Sequence, residues 1–424
     1  MFKKILSTFI AFALAAHPIF LPAAETLSLE ALLQEAQGRN PEILAAKKRW
    51  EAAQERIPQE KSLEAPSLSL TVEKIPKGTF QLNNTMPDDR MLSFSQFLPL
   101  FGKLSLRGKI ALVESRMLAA EYKGKELEVM NAVKNAYFDL FMNYKETGLN
   151  EENLALLRVL SKTAEAQYAI GGISQEELFK IHLELARLNN AIFNLKQEAL
   201  AQQTRLNALL NRDPESPLGV PVLKEETEFT QDIRSFYVMA QLNQPELTVF
   251  SYTIEKNKYA RSLAQRSFFP DLMANIAQRG ITSGAIGPWD LMLSFSMPFW
   301  FWTKQRYQVK EAIANLEEAE AAYEAMKNKA FAEVKDAAVK IEIARNKIRL
   351  IQGELLPLLE SSLKVSQAAF RSGQGELMTL LDSQRMLVET KMDYYRAVVD
   401  YHRNLADLER LVGGSLTQET EVKK

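Results

Sequence analysis

Few side chains in this sequence could make or break a bond. Of the three histidines, His17 falls in the leader described below. His182 and His402 stand far apart on helical stretches, without the spacing of a metal site. There is no cysteine, so thiolate chemistry, disulfides and a lipid-carrying N-terminal Cys are excluded. The fourteen methionines are spread through helical and extended runs, in the manner of core filler rather than a soft-metal relay. Carboxylates are abundant but recur at helix-surface spacing, and no Walker loop, dinucleotide fingerprint or nucleophile elbow is present. No catalytic residue, resident metal or cofactor is expected, and the chain does not read as an enzyme. Lys plus Arg number 52 against 53 Asp plus Glu in 424 residues, a balance that points to no nucleic-acid partner.

The elements that hold these side chains are more informative. Lys3 and Lys4, the apolar run Ile5 to Ala16, and the small residues Ala23 and Ala24 make a secretory leader over 1–24. No later stretch is long and apolar enough for a transmembrane helix. Proline then divides the chain. Pro41, Pro58, Pro66, Pro76, Pro87 and Pro99 crowd the first part, and none follows until Pro214. A second group ends at Pro298, with only Pro357 beyond it. Proline disrupts helix interiors, so the two sparse stretches are free to be long helices. Pro357 removes a backbone donor near Gly353 and is expected to bend the second of them.

The two halves repeat one another. Asn40-Pro41-Glu42 recurs as Gln244-Pro245-Glu246, Leu92-Ser93-Phe94-Ser95 as Leu293-Ser294-Phe295-Ser296, and Leu206-Asn207-Ala208-Leu209 as Leu408-Glu409-Arg410-Leu411. The plan read from these is a first repeat over 25–215, with strands at about 67–75 and 90–98 and a helix hairpin at about 102–211. A linker follows over 216–231. A second repeat covers 232–414, with strands at about 271–279 and 289–298 and a hairpin at about 302–412, before a tail over 415–424. In the second hairpin, residues from Val309 and Leu316 through Val334 and Ile348 to Leu355 follow three- and four-residue steps, a narrow coiled-coil stripe. Lys103 to about Ile170 reads as one helix of ~100 Å. Gly171 and Gly172 stop it, Ser174 and Glu177 form a capping box for the next helix, and Gly373 and Gly375 close the second hairpin.

The short extended runs alternate. In Ser67 to Val72 and Leu291 to Met297, apolar and mostly hydroxyl residues take opposite faces; Leu92 to Leu98 does so more loosely, and Leu272 to Arg279 is the weakest. Such segments suit transmembrane barrel strands, and equally a soluble sheet with one buried face. Trp289 at one end and Phe299, Trp300, Phe301 and Trp302 at the other suit interfacial girdles. Four strands alone would leave open edges in hydrocarbon, so the membrane reading requires several copies to share one barrel. Segments 75–90 and 279–289 would then be outer loops.

Together these features resemble the TolC-like outer-membrane factor family, over essentially the whole chain after the leader. Gln96 to Lys103 with Arg107 and Ala111, Leu380 to Arg385, and Leu408 to Gly413 resemble its heavy-metal-efflux branch. The resemblance implies a mainly α fold with a small β part. It implies a homotrimer in which a twelve-stranded outer-membrane barrel is continuous with a long periplasmic helical barrel. It also implies helix tips at Gly171, Gly172, Gly373 and Gly375 that meet a periplasmic adaptor, coupled to an inner-membrane pump of the resistance-nodulation-division type. The constriction near the tips would fall on Asp382, with Thr379 at the family's other acidic position. The function implied is a passive exit duct for small substrates, heavy-metal cations among them. A drug-efflux or type I secretion channel would share the fold, and a soluble periplasmic coiled-coil scaffold would explain the leader and hairpins alone.

Overall fold

The computed structural model describes residues 26–75, 77–78, 86, 89–223, 232–281 and 287–416. The leader, most of the tail, half of the linker and parts of both outer loops lie outside them. The described chain runs β1 (Thr26–Leu27), α1 (Leu29–Arg39), α2 (Pro41–Lys61), β2 (Ser67–Val72), β3 (Arg90–Leu98), α3 (Lys103–Ala169) and α4 (Gln175–Leu209). It then repeats the pattern as β4 (Val220–Pro221), α5 (Ile233–Asn243), α6 (Pro245–Arg266), β5 (Asp271–Arg279), β6 (Trp289–Ser296), α7 (Gln305–Leu350), α8 (Leu356–Arg371) and α9 (Leu377–Val412).

Local sequence explains most boundaries. Asn40 caps α2, its side-chain oxygen accepting from the Glu42 and Ile43 amides, with Pro41 at the first helical position. Gln244 stands at the same place before Pro245 and makes no side-chain cap. The expected strand over 67–75 ends at Val72, because Lys74 turns to a positive φ of 53° and leaves the extended region. The last strand stops at Ser296, short of the expected 298, where Pro298 has no amide to give the ladder. Between α7 and α8 the helix passes through a π-turn, Ile351–Leu355, in which the Leu356 amide donates to the Ile351 carbonyl five residues back. Pro357 has no amide and its ring crowds the carbonyl four residues back, so the chain takes up an extra residue there. At Pro357, where a bend is expected, the irregularity observed is this π-turn.

The longer helices form a wall one layer thick, against which α1 and α5 pack. Toward the sheet, α2, α3, α6 and α7 lie side by side in that order. Farther down, α4, α3, α9 and then α7 with α8 lie side by side. Helices α3 and α7–α8 run through both tiers, which is why they are long. There is no single centre of packing. One buried cluster joins Leu32, Ala36, Val133, Tyr137, Leu206 and Val399; a second joins Phe236, Val334, Ile341, Tyr401 and Leu408; a third joins Leu157, Ile181, Phe370, Leu377 and Leu380. In α7 the buried residues run Leu316, Ala319, Met326, Ala330, Val334, Ala337, Ile341, Ala344 and Ile348, the stripe read from the sequence; Leu355 at its end is 38% exposed.

Candidate functional site

The four longer strands pair antiparallel in the order β2-β3-β5-β6, so each repeat gives an adjacent pair and β2 and β6 are left as edges. Register fixes the faces. Leu68 is opposite Phe94 and Leu70 opposite Leu92; Phe94 faces Ile276, and Ile276 faces Leu291. Ala274 with Leu293 and Leu272 with Phe295 extend the same apolar face. Leu68 is 70% exposed and Leu291 68%, which for a whole apolar sheet face is costly in water and natural in hydrocarbon.

The opposite face is polar. The Ser69 and Ser93 hydroxyls are 3.0 Å apart, Asn275 donates its side-chain amide to the Ser95 hydroxyl, and Arg279 pairs with Asp290 at 2.7 Å. Met91, Met273 and Met292 share this face by register, and Met273 and Met292 are largely exposed. These three are not core filler, contrary to the expectation from their scatter. Alternation over two residues, not the methionine count, carried the signal that would have found them.

At the lower rim of the sheet the two repeats are tied together. The buried Lys103 ammonium donates to both Asp271 carboxylate oxygens at 2.8 Å and to the Phe269 carbonyl at 2.9 Å. Asp271 also accepts the Leu100 amide at 3.1 Å, and Arg266 donates to the Phe101 carbonyl at 2.6 Å. Around this latch lie Phe101, Phe269, Phe299, Trp300, Phe301 and Trp302, all about half exposed or more; Trp289 stands at the upper end of β6, also exposed. A second tie lies lower, where Lys134 of α3 pairs with the buried Glu409 of α9 and Glu409 also accepts the Leu416 amide at 3.0 Å. Sequence reasoning missed both ties, since their partners are far apart in the chain.

The helix tips are built as the sequence indicates. Gly171 has φ of 79° and the Gly172 amide donates to the Gln167 carbonyl at 2.8 Å. The Ser174 hydroxyl accepts the Glu177 amide at 3.2 Å while the Glu177 carboxylate accepts the Ser174 amide at 2.9 Å. Gly373 has φ of 72°, and a Cβ on Gly375 would come within 2.9 Å of Ala369. Near this end of α9, Asp382 and Thr379 are exposed. Arg385 approaches Asp382 only to 3.7 Å and shares itself with Glu184 at 3.8 Å. Among the described residues no cluster of His, Cys, Asp or Glu could hold a metal. His182 is exposed near the tip, whereas burial beside Phe138 and Tyr401 pushes His402 below the ordinary histidine range. Among the described residues no helix is long and apolar enough to cross a membrane.

A sequence profile described as outer membrane efflux protein matches residues 32–212 and 236–414, one match on each repeat. The chain belongs to the outer membrane efflux protein family. This efflux protein is 20% identical to the cobalt-zinc-cadmium resistance protein CzcC of Cupriavidus metallidurans, over 93% of this chain and 92% of that one. Its fold matches the outer membrane protein VceC of Vibrio cholerae with a TM-score of 0.77 at 17% identity, covering 91% of this chain and 96% of that chain. It matches the CmeC outer membrane channel of Campylobacter jejuni with 0.78 at 15% identity, covering 98% and 94%. As a family member it is an outer-membrane efflux channel and not an enzyme, with a long helical extension into the periplasm. It acts as a homotrimer with a periplasmic adaptor and an inner-membrane pump. The soluble-scaffold reading is thereby overturned.

Proposed function

We propose that the trimer is the passive exit duct of a tripartite efflux system for heavy-metal cations. One observation carries the duct: a sheet with one exposed apolar face, one polar face and two unpaired edges. Only a closed ring satisfies those edges in lipid, and three copies of four strands make twelve. The polar face then lines the lumen. The apolar face meets the acyl chains, with Trp289 at one headgroup level and Phe299, Trp300, Phe301 and Trp302 at the other.

The metal reading is supported by the end-to-end similarity to CzcC and by the lumenal side chains. Hydroxyls, the Asn275 amide and the thioethers of Met273 and Met292 offer weak oxygen and sulfur contacts without a fixed site. Met292 is two residues before Ser294, the partner of Met273, so the two sulfurs stand on a diagonal of the ladder. A duct has to let its cargo go, and no closed ligand set would. At the tips, Asp382 from three copies forms an acidic ring that draws cations in, with Thr379 one turn before it. The turns at Gly171, Gly172, Gly373 and Gly375 are the adaptor's contact points, and all energy comes from the pump.

The test is a deletion strain complemented by the gene and challenged separately with zinc, cadmium, cobalt, copper, dyes and antibiotics. Restored resistance confined to metal salts supports the reading. Restoration confined to organic compounds, or of secretion of a protein substrate, would replace it with a drug-efflux or type I secretion channel of the same fold.

A further inference from the structure

In the lower tier the wall ends on α4 at one side and on α7 with α8 at the other. Both outer helices carry an apolar row. On α4, Phe179, Ala186, Phe193 and Leu200 recur every seventh residue and are all exposed, the spacing of a coiled-coil seam. On α7 and α8 the exposed row is Ile343, Leu350, Leu358 and Val365, with steps of seven, eight and seven. In a regular α-helix an eight-residue step would throw the row about 80° off line. The long step spans the π-turn, Ile351–Leu355, which takes up one residue and leaves both flanks in register. The buried face makes the same jump there, from Ile348 to the half-buried Leu356 and on to Leu363.

We infer that these two rows pack against each other between neighbouring copies, and that the π-turn is a register device which keeps the second row straight. The partner is a second copy of this chain. The free helix edges lie below the free strand edges: β2 and α4 belong to the first repeat, and β6, α7 and α8 to the second. The seam therefore continues the interface that closes the strand barrel. The levels agree as well. The third buried cluster packs the two tips together. Counted from the turns at ~1.5 Å per residue, Phe179 and Val365 both lie about 10 Å up, and Phe193 and Leu350 about 30 Å up. This pairing goes beyond the trimer itself, since it assigns residues, level and the purpose of the helix defect.

The sequence has no cysteine, so engineered pairs can be read without background. In the full-length protein in outer membranes, Phe193→Cys with Leu350→Cys, and Phe179→Cys with Val365→Cys, are expected to give covalent dimers and trimers on oxidation. The mismatched pair Phe193→Cys with Val365→Cys should stay monomeric on a denaturing gel. Deleting Gly353, where no atom lies near a Cβ position, removes the extra residue, and both matched pairs should still cross-link to at least half their original yield. Loss of only the Phe179–Val365 product in that deletion would overturn the register role. Equal yields from matched and mismatched pairs, or none from either while a native gel shows trimers, would overturn the seam and leave the channel reading standing. Absence of trimers in the cysteine-free parent would count against the channel reading itself.

Discussion

Two carboxylates show how differently placed acids behave in this chain. Asp382 is exposed and only loosely approached by Arg385, as the proposed ring requires. Asp382→Asn is expected to weaken block by divalent cations about 3- to 10-fold in single-channel recordings, since the proposed ring would lose three like charges. Unchanged block would dismiss the ring. Glu35 is held instead. Arg212 donates to it through Nε at 2.9 Å and again through Nη2, and that hydrogen bonding lowers the Glu35 carboxyl below its usual 4.5 while raising Arg212. A lowered folded-state value means that the pair stabilises at neutral pH, and that the gain is lost as pH falls from about 4.5 through the folded value. Glu35→Gln should cost about 1 kcal/mol at pH 7 and flatten the acid limb of the unfolding curve. An acid limb identical to the parent's would refute the assignment.

At the scale of the element, alternation along a strand becomes a claim about solvent. Leu293 and Ser294 are neighbours on β6, one on the apolar face and one on the polar face. Leu293→Lys should cost about 2–4 kcal/mol and impair barrel assembly, while Ser294→Lys should assemble normally. Assembly can be followed by heat-modifiable trimer on gels, and equal impairment would place both faces in one environment. The helices teach a related point. Their buried stripe was legible from spacing because small and apolar residues recur where the neighbouring helix approaches. The exposed stripe on α7 and α8 was not, because its regularity is broken by one residue and is restored only by the π-turn.

The whole molecule is a sector rather than a finished body. Each tier is one layer with two open sides, an arrangement that cannot bury its edges alone. Intact cells shocked osmotically should therefore keep the protein in the membrane fraction, and only detergent should extract it, as a trimer. Release with the periplasmic contents as a monomer would contradict both the barrel and the seam.

The duplicated plan, the four strand positions, the long helices and their glycine tips are legible in the residues alone. Those depend on local rules: proline without an amide, glycine at positive φ, and periods of two and of three to four residues. Family resemblance added the proposal of a ring at Asp382. Which residues meet across the repeats emerges from the fold. Lys103 with Asp271 and Lys134 with Glu409 depend on strand register and helix order. Both pairs bring together residues more than a hundred positions apart, and no local period encodes such a pairing.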